Sequence, residues 1–161
     1  QDGELKVYNL LDNTTQATSI KVYPLPKQLV FSNRRQQLHF HDGKSIFKID
    51  IHSESVDELT KKQFPIRSIA FDEKLNLVYF STSTDGRIYR INASTLYIYD
   101  VFHTISANGS DIAYSSSSDQ LYFTRNNGRD IQIKSLDMVT KESTIVTILY
   151  NINSISNLSV N

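Results

Sequence analysis

The chain has 161 residues, 39% of them apolar, and no apolar run approaches the length of a membrane helix, so one compact domain is expected and a membrane span is not. Seventeen Lys and Arg balance seventeen Asp and Glu, which removes the global positive field that nucleic-acid or anionic-membrane binding would use. Cysteine is absent, so there is neither a disulfide framework nor a thiolate metal site, and the compartment must be read from other signs.

In chain order, the first strands expected are Glu4–Leu10 and Thr18–Tyr23. Residues 28–66 then hold Gln28–Phe31, Leu38–His41, Ser45–Asp50 and a weaker strand near Val56–Thr60. Residues 67–108 hold Ser68–Phe71, Leu77–Ser81, Arg87–Asn92 and Leu96–Phe102. Residues 109–152 hold Asp111–Tyr114, Gln120–Thr124, Ile131–Leu136 and Ser143–Leu149, and residues 153–161 match a first strand only. No stretch keeps an apolar period of 3.6, so little helix is expected.

These strands repeat. Val7-Tyr8-Asn9-Leu10, Ile46-Phe47-Lys48-Ile49, Ile88-Tyr89-Arg90-Ile91 and Ile133-Lys134-Ser135-Leu136 recur at intervals of 39, 42 and 45 residues. Leu29-Val30-Phe31, Ile69-Ala70-Phe71, Ile112-Ala113-Tyr114 and Leu158-Ser159-Val160 recur at 40, 43 and 46. Asp42-Gly43, Asp85-Gly86 and Asn127-Gly128 fall between the second and third strands of each unit, with Asp2-Gly3 at the matching place near the start. Asx-Gly tolerates the positive φ of a tight hairpin turn. A repeat of about 40–45 residues with four short strands is the pattern of a β-propeller blade. The expected fold is all-β, a β-propeller of four-stranded antiparallel blades, three complete and one split or partial.

The whole of 1–161 reads as one propeller domain or part of one, with units 1–27 (partial), 28–66, 67–108, 109–152 and 153–161 (partial). The two partial units admit two readings. In one, the tail pairs with the head to close a four-bladed ring, since closure removes exposed strand edges. In the other, favoured because the shared blade would lack its second strand, the chain is a piece of a larger propeller, six-bladed by preference, completed by residues or a second chain beyond these.

The stretch Ser68-Ile69-Ala70-Phe71-Asp72, Leu77-Val78-Tyr79-Phe80-Ser81 and Gly86-Arg87-Ile88-Tyr89-Arg90-Ile91-Asn92 resembles one repeat of the six-bladed YWTD, NHL and Yellow-like propellers. Tyr79-Phe80-Ser81-Thr82 and Tyr122-Phe123-Thr124-Arg125 are degenerate forms of the YWTD motif, and Leu38-His39-Phe40-His41 is weaker. Trp is absent, and the motif's last Asp is missing. The repeat style also resembles secreted insect propellers of the Yellow-like and ommochrome-binding types.

Gln1 stands where a processed terminus would, and four N-glycosylation sequons begin at Asn13, Asn92, Asn108 and Asn157. Asn13 and Asn108 fall in expected loops, where a glycan projects freely. The expectation is an extracellular, secreted glycoprotein, with a cytoplasmic protein as the alternative.

Function on this scaffold must come from specific side chains, because one fold hosts many activities. The strongest metal candidate is His39-x-His41-Asp42, whose alternate residues share a strand face. Equivalent positions carry Tyr79/Ser81 and Tyr122/Thr124, which reads instead as ordinary outward polar packing, so no metal is expected. His52 and His103 lack a nucleophile or base at a diagnostic spacing, and no catalytic residue or cofactor is expected. Asp72, Glu73, Asp111 and Asp119 resemble the scattered calcium ligands of gluconolactonase-like hydrolases, yet acids also suit turns. Arg34-Arg35, Arg125 and Arg129, interleaved with aromatics, do not amount to a nucleic-acid surface in a neutral chain.

The expected function is therefore a non-enzymatic binding scaffold presenting loops to a protein partner. The alternative is a carrier of a small flat hydrophobic molecule such as a pigment, with Tyr79, Tyr89, Phe47 and Tyr122 lining a channel or an inter-blade pocket. The residues expected to touch a ligand are Tyr79, Tyr122, Arg125 and His41.

Overall fold

The computed structural model describes residues 3–9, 11–60, 62–103, 110–152 and 158. All regular elements among them are strands: β1 (Gly3–Asn9), β2 (Thr14–Val22), β3 (Gln28–Ser32), β4 (Gln37–His41), β5 (Ile46–Asp50), β6 (Ser55–Glu58), β7 (Ile66–Asp72), β8 (Leu77–Thr82), β9 (Arg87–Asn92), β10 (Ile98–His103), β11 (Ile112–Ser115), β12 (Gln120–Asn126), β13 (Asp130–Asp137) and β14 (Ser143–Tyr150). They form a leading pair β1-β2 and three four-stranded sheets, β3-β4-β5-β6, β7-β8-β9-β10 and β11-β12-β13-β14. Every pairing is antiparallel between consecutive strands, as a meander of short hairpins requires.

The sheets stack face to face. Ile20 and Val22 of the leading pair pack on Phe40 and Ile49 of the first sheet. Ile46 and Leu59 pack on Ile69, Val78, Phe80 and Ile91 of the second. Ala70, Leu77, Tyr79 and Ile88 on the second sheet's other face meet Ile112, Leu121, Phe123 and Leu136 of the third. The first strands β3, β7 and β11 are neighbours along one side, the axis of the arrangement.

β8 is buried at all six positions, because its sheet is covered on both faces. One expectation is corrected. His39 and His41 are not outward polar positions: both are buried on the face of β4 that meets the second sheet. Phe71 is only half-buried, stacked on His39 at a centroid distance of 4.2 Å on the axial side. Strand ends also shift. Leu96, read as the start of a strand, belongs to the preceding turn at φ 58°, because Asn92 Oδ1 accepts the N–H groups of Ser94 and Thr95 and sets that turn. The first strand expected in 153–161 lies outside the described residues apart from Leu158.

Neighbouring sheets are also stitched by a polar contact that steps with the repeat. Gln28 Oε1 accepts the Ile69 N–H at 2.7 Å, and one unit on, Ser68 Oγ accepts the Ile112 N–H at 3.2 Å. In each case the residue before the apolar triplet of one first strand satisfies the backbone of the next.

Candidate binding site

Where the first strands begin, an open polar cavity of about 350 Å³ lies between the sheets, lined by Lys27, Gln28, His41, Ile66, Arg67, Ser68, Ser83 and Asp111. Local chain geometry puts each charged group there. Lys27 extends the β3–β4 ladder, its N–H donating to the His41 carbonyl at 2.8 Å. Gly43 of the next turn has φ +100°, a backbone conformation that favours glycine, and the Lys27 ammonium lies over it, 2.5 Å from where a Cβ would stand. Arg67 is skipped by the register between Ile66 and Ser68, an irregularity that releases it from the ladder. Its Nε donates to Asp111 Oδ1 at 3.0 Å, the Arg67 side chain 44% exposed and that of Asp111 7%. Asp111 is held by its own backbone, donating to Thr124 Oγ1 and accepting from the Thr124 N–H, both at 3.0 Å.

Two polar atoms on this cavity's lining residues are buried without a hydrogen-bond partner: His41 Nε2 and Asp111 Oδ2. His41 Nδ1 accepts the Gly43 N–H at 3.1 Å, which places the proton of the neutral ring on Nε2. Burial, helped by the charge of Lys27 and opposed by Asp42, lowers the His41 pKa to about 4, so the ring is neutral at pH 7. The cavity thus offers an N–H donor, an ammonium and a guanidinium against one carboxylate.

Further along the axis a second cavity of about 260 Å³ is lined mainly by apolar residues, Val30, Phe31, Ile69, Ala70, Phe71, Ile112, Ala113, Tyr114 and Leu158, together with Gln28. Phe31, Phe71 and Tyr114 occupy one repeat position in the three first strands. Sequence reasoning missed them as cavity-lining residues, although the aligned triplets carried the signal.

The residues expected to line a channel are elsewhere. Tyr79 is buried between the second and third sheets, its pKa pushed up to about 12 by burial and the nearby Asp72. Phe47 stacks on Phe40 at 4.8 Å, and Tyr89 on Phe80 at 5.2 Å. Tyr122 takes the position of Tyr79 in the third sheet, where among the described residues no further sheet covers it, so it stays half-buried and donates its hydroxyl to Gln120 Oε1 at 3.1 Å. Arg125 is half-buried opposite Gln132. Of Tyr79, Tyr122, Arg125 and His41, only His41 reaches either axial cavity.

The four acids are not a ligand set. Asp72 caps its turn by accepting from Lys74 and Leu75, Glu73 accepts from Ser32 and Arg34, and Asp119 accepts the Tyr114 hydroxyl, all at the end of the strands opposite Asp111. Among the described residues no group of three or more metal-ligating side chains converges. Asn13 sits in an exposed turn and accepts the Tyr8 hydroxyl, and Asn92 ends β9; Asn108 and Asn157 lie outside the described residues.

Comparison with solved structures now decides the architecture. The chain is similar to a chain of a nidogen/laminin complex, with TM-score 0.75 and 19% identity over 92% of this chain and 59% of that one. It is also similar to TolB from Acinetobacter baumannii, with TM-score 0.72 and 14% identity over 89% of this chain and 37% of the other. The fold is that of a β-propeller. The chain is similar as well to an auxiliary nutrient binding protein from Bacteroides thetaiotaomicron, with TM-score 0.66 and 16% identity over 89% of this chain and 36% of that one. The chain therefore spans less than two thirds of each of these chains. No family model matches the sequence, and no curated relative matches it. The resemblance to YWTD- and NHL-type propellers holds as fold; the narrower insect resemblance is not addressed by these likenesses. Among the described residues, no helix is long and apolar enough to cross a membrane.

Proposed function

We propose that this propeller is a non-enzymatic binding scaffold acting outside the cell, which presents the end where its first strands begin to a protein partner. One observation carries the reading: His41 Nε2 and Asp111 Oδ2 are buried without internal partners on residues of an open cavity flanked by Lys27 and Arg67. Folded proteins satisfy nearly all buried polar groups, so polar atoms left free at a cavity are suited to an external partner. The similar chain in the nidogen/laminin complex belongs to a protein–protein assembly, which supports a protein partner by analogy of fold. Asn13 in an exposed turn supports an extracellular setting.

The test is crosslinking capture from extracellular fluid with the wild-type chain and a Lys27→Glu/Arg67→Glu variant. The reading expects a defined partner band that the variant loses. Equal capture by both would reject this end as the binding face. Intact mass before and after glycosidase treatment tests the setting, with hexose-step mass expected on Asn13.

A second reading is supported by a different observation, the aromatic trio Phe31, Phe71 and Tyr114 around the apolar axial cavity. It suits a small flat hydrophobic ligand. An ultraviolet–visible band that co-purifies with the protein and disappears on denaturation is its expected sign.

A further inference from the structure

We propose that the polar axial cavity is a carboxylate-binding subsite in which Lys27 Nζ, the terminal amino groups of Arg67 and the Nε2–H of His41 hold one carboxylate. The proposal deepens the binding-scaffold reading and rests on it for the end of the propeller that is used. Its chemistry stands on four local features.

First, the three groups named are donors, and among the described residues none has an acceptor at the atoms named. Arg67 bonds Asp111 through Nε alone, which fixes the guanidinium while leaving its two amino groups to form the planar fork that matches a carboxylate. Second, the tautomer of His41 is fixed by the Gly43 N–H, so its buried Nε2 is a donor and would be left unsatisfied by a cation or an apolar group. Third, the charges select among anions. Lys27 and Arg67 against Asp111 leave one net positive charge, which a monoanion neutralises and a phosphate dianion exceeds, doubling the repulsion from the Asp111 carboxylate. Fourth, both positioning devices are local backbone choices, the register irregularity that releases Arg67 and the left-handed glycine beneath Lys27. A cavity of about 350 Å³ admits an Asp or Glu side chain of a partner as readily as a free small carboxylate. The chemistry is the same, and the experiment separates the sources.

The experiment follows the His41 Nε2 resonance of the full chain in histidine-detected ¹H–¹⁵N spectra at pH 7. The probes are sodium acetate, the capped peptide acetyl-Gly-Glu-Gly-amide, its Gln counterpart and inorganic phosphate. Saturable shifts with acetate and the Glu peptide, absent with the Gln peptide, are expected. Lys27→Gln and Arg67→Gln should each weaken binding by about tenfold, as loss of one charge-assisted hydrogen bond implies. A response to the Glu peptide stronger than to acetate identifies a partner side chain as the source, and the reverse identifies a free carboxylate; either supports the subsite. No His41 response to either carboxylate, or tighter binding of phosphate, overturns it. Because Lys27 and Arg67 are exposed, both variants should fold, and an unchanged backbone spectrum checks this. Partner capture that depends on this end without any carboxylate response would leave the scaffold reading standing and reject the subsite alone.

Discussion

His39 is fully buried with its ring on Phe71, and neither ring nitrogen has a hydrogen-bond partner. Burial, reinforced by the charges of Lys48 and Arg35, lowers its pKa to about 4. The unfolded chain binds the proton at the ordinary value near 6.5. Stability from keeping this ring neutral is therefore intact above pH 6.5 and is lost as pH falls towards 4, and His41 contributes in the same window. Each histidine should remove about 1.4 kcal/mol per pH unit in that window, so His39→Phe should recover about 1–2 kcal/mol of the loss between pH 7 and pH 5. Urea titrations of both proteins at the two pH values check this, and an unchanged pH 7-to-5 difference would contradict it. Phe80 shows the apolar side of the same packing. It is fully buried, with Tyr89 and Phe64 each at 5.2 Å, so Phe80→Ala should cost about 3–5 kcal/mol by chemical denaturation. A loss below about 1 kcal/mol would refute the blade register.

The hairpins follow one rule at the scale of the element. Asp50, Asn92 and Asp137 accept N–H groups two and three residues on, and the fourth residue on, Glu54, Leu96 or Lys141, takes φ of 55°, 58° or 62°. The turns between first and second strands repeat the pattern of φ at Gln36, Asn76 and Asp119. A left-handed conformation costs an L-residue roughly 1–2 kcal/mol, and glycine avoids that cost at some expense in unfolded-chain entropy. Lys141 is exposed, so Lys141→Gly should stabilise by about 0.5–1 kcal/mol. Leu96 has the same backbone but packs on the core between the first two sheets, so Leu96→Gly should destabilise by about 1–3 kcal/mol. Thermal melts of the two variants moving in opposite directions would confirm that backbone strain and packing are separate here; movement together would not. The Asx-Gly pairs made the turns between second and third strands legible in the sequence, because their chemistry is local, and Gly43, Gly86 and Gly128 there take φ of 100°, 62° and 92°. The contacts of Gln28 with Ile69 and of Ser68 with Ile112 were not legible, because the residue type changes at that repeat position while the backbone group it meets lies some forty residues away. The cavity was half-legible for a similar reason: His41 was noticed by type, whereas Lys27 and Arg67 gain meaning only from the turn and the register irregularity beside them.

For the whole molecule, one repeat position has different surroundings in each sheet. Leu29 and Ile69 both open an apolar triplet on a first strand, and the sequence treats them alike. Ile69 is 1% exposed because the first sheet covers it, whereas Leu29 is 50% exposed, since among the described residues the leading pair β1-β2 supplies only the outer half of a blade. Phe31, at 52%, shares this uncovered inner edge, an apolar patch of the kind that marks an interaction surface. At the other end of the stack, Asp111 holds the place of Gln28 and Ser68, and its Oδ2 is the buried acceptor that meets no neighbouring strand. Burial controls the cost of truncation, so Ile69→Ala should cost about 2–5 kcal/mol and Leu29→Ala under about 1 kcal/mol. The comparison should be run on the isolated chain by urea unfolding, and again in the presence of any captured partner. A small cost for Leu29→Ala alone that grows when the partner is bound would place the partner on the inner edge. Equal costs at 29 and 69 in the isolated chain would mean that Leu29 is covered in solution, and the open-edge description would be wrong.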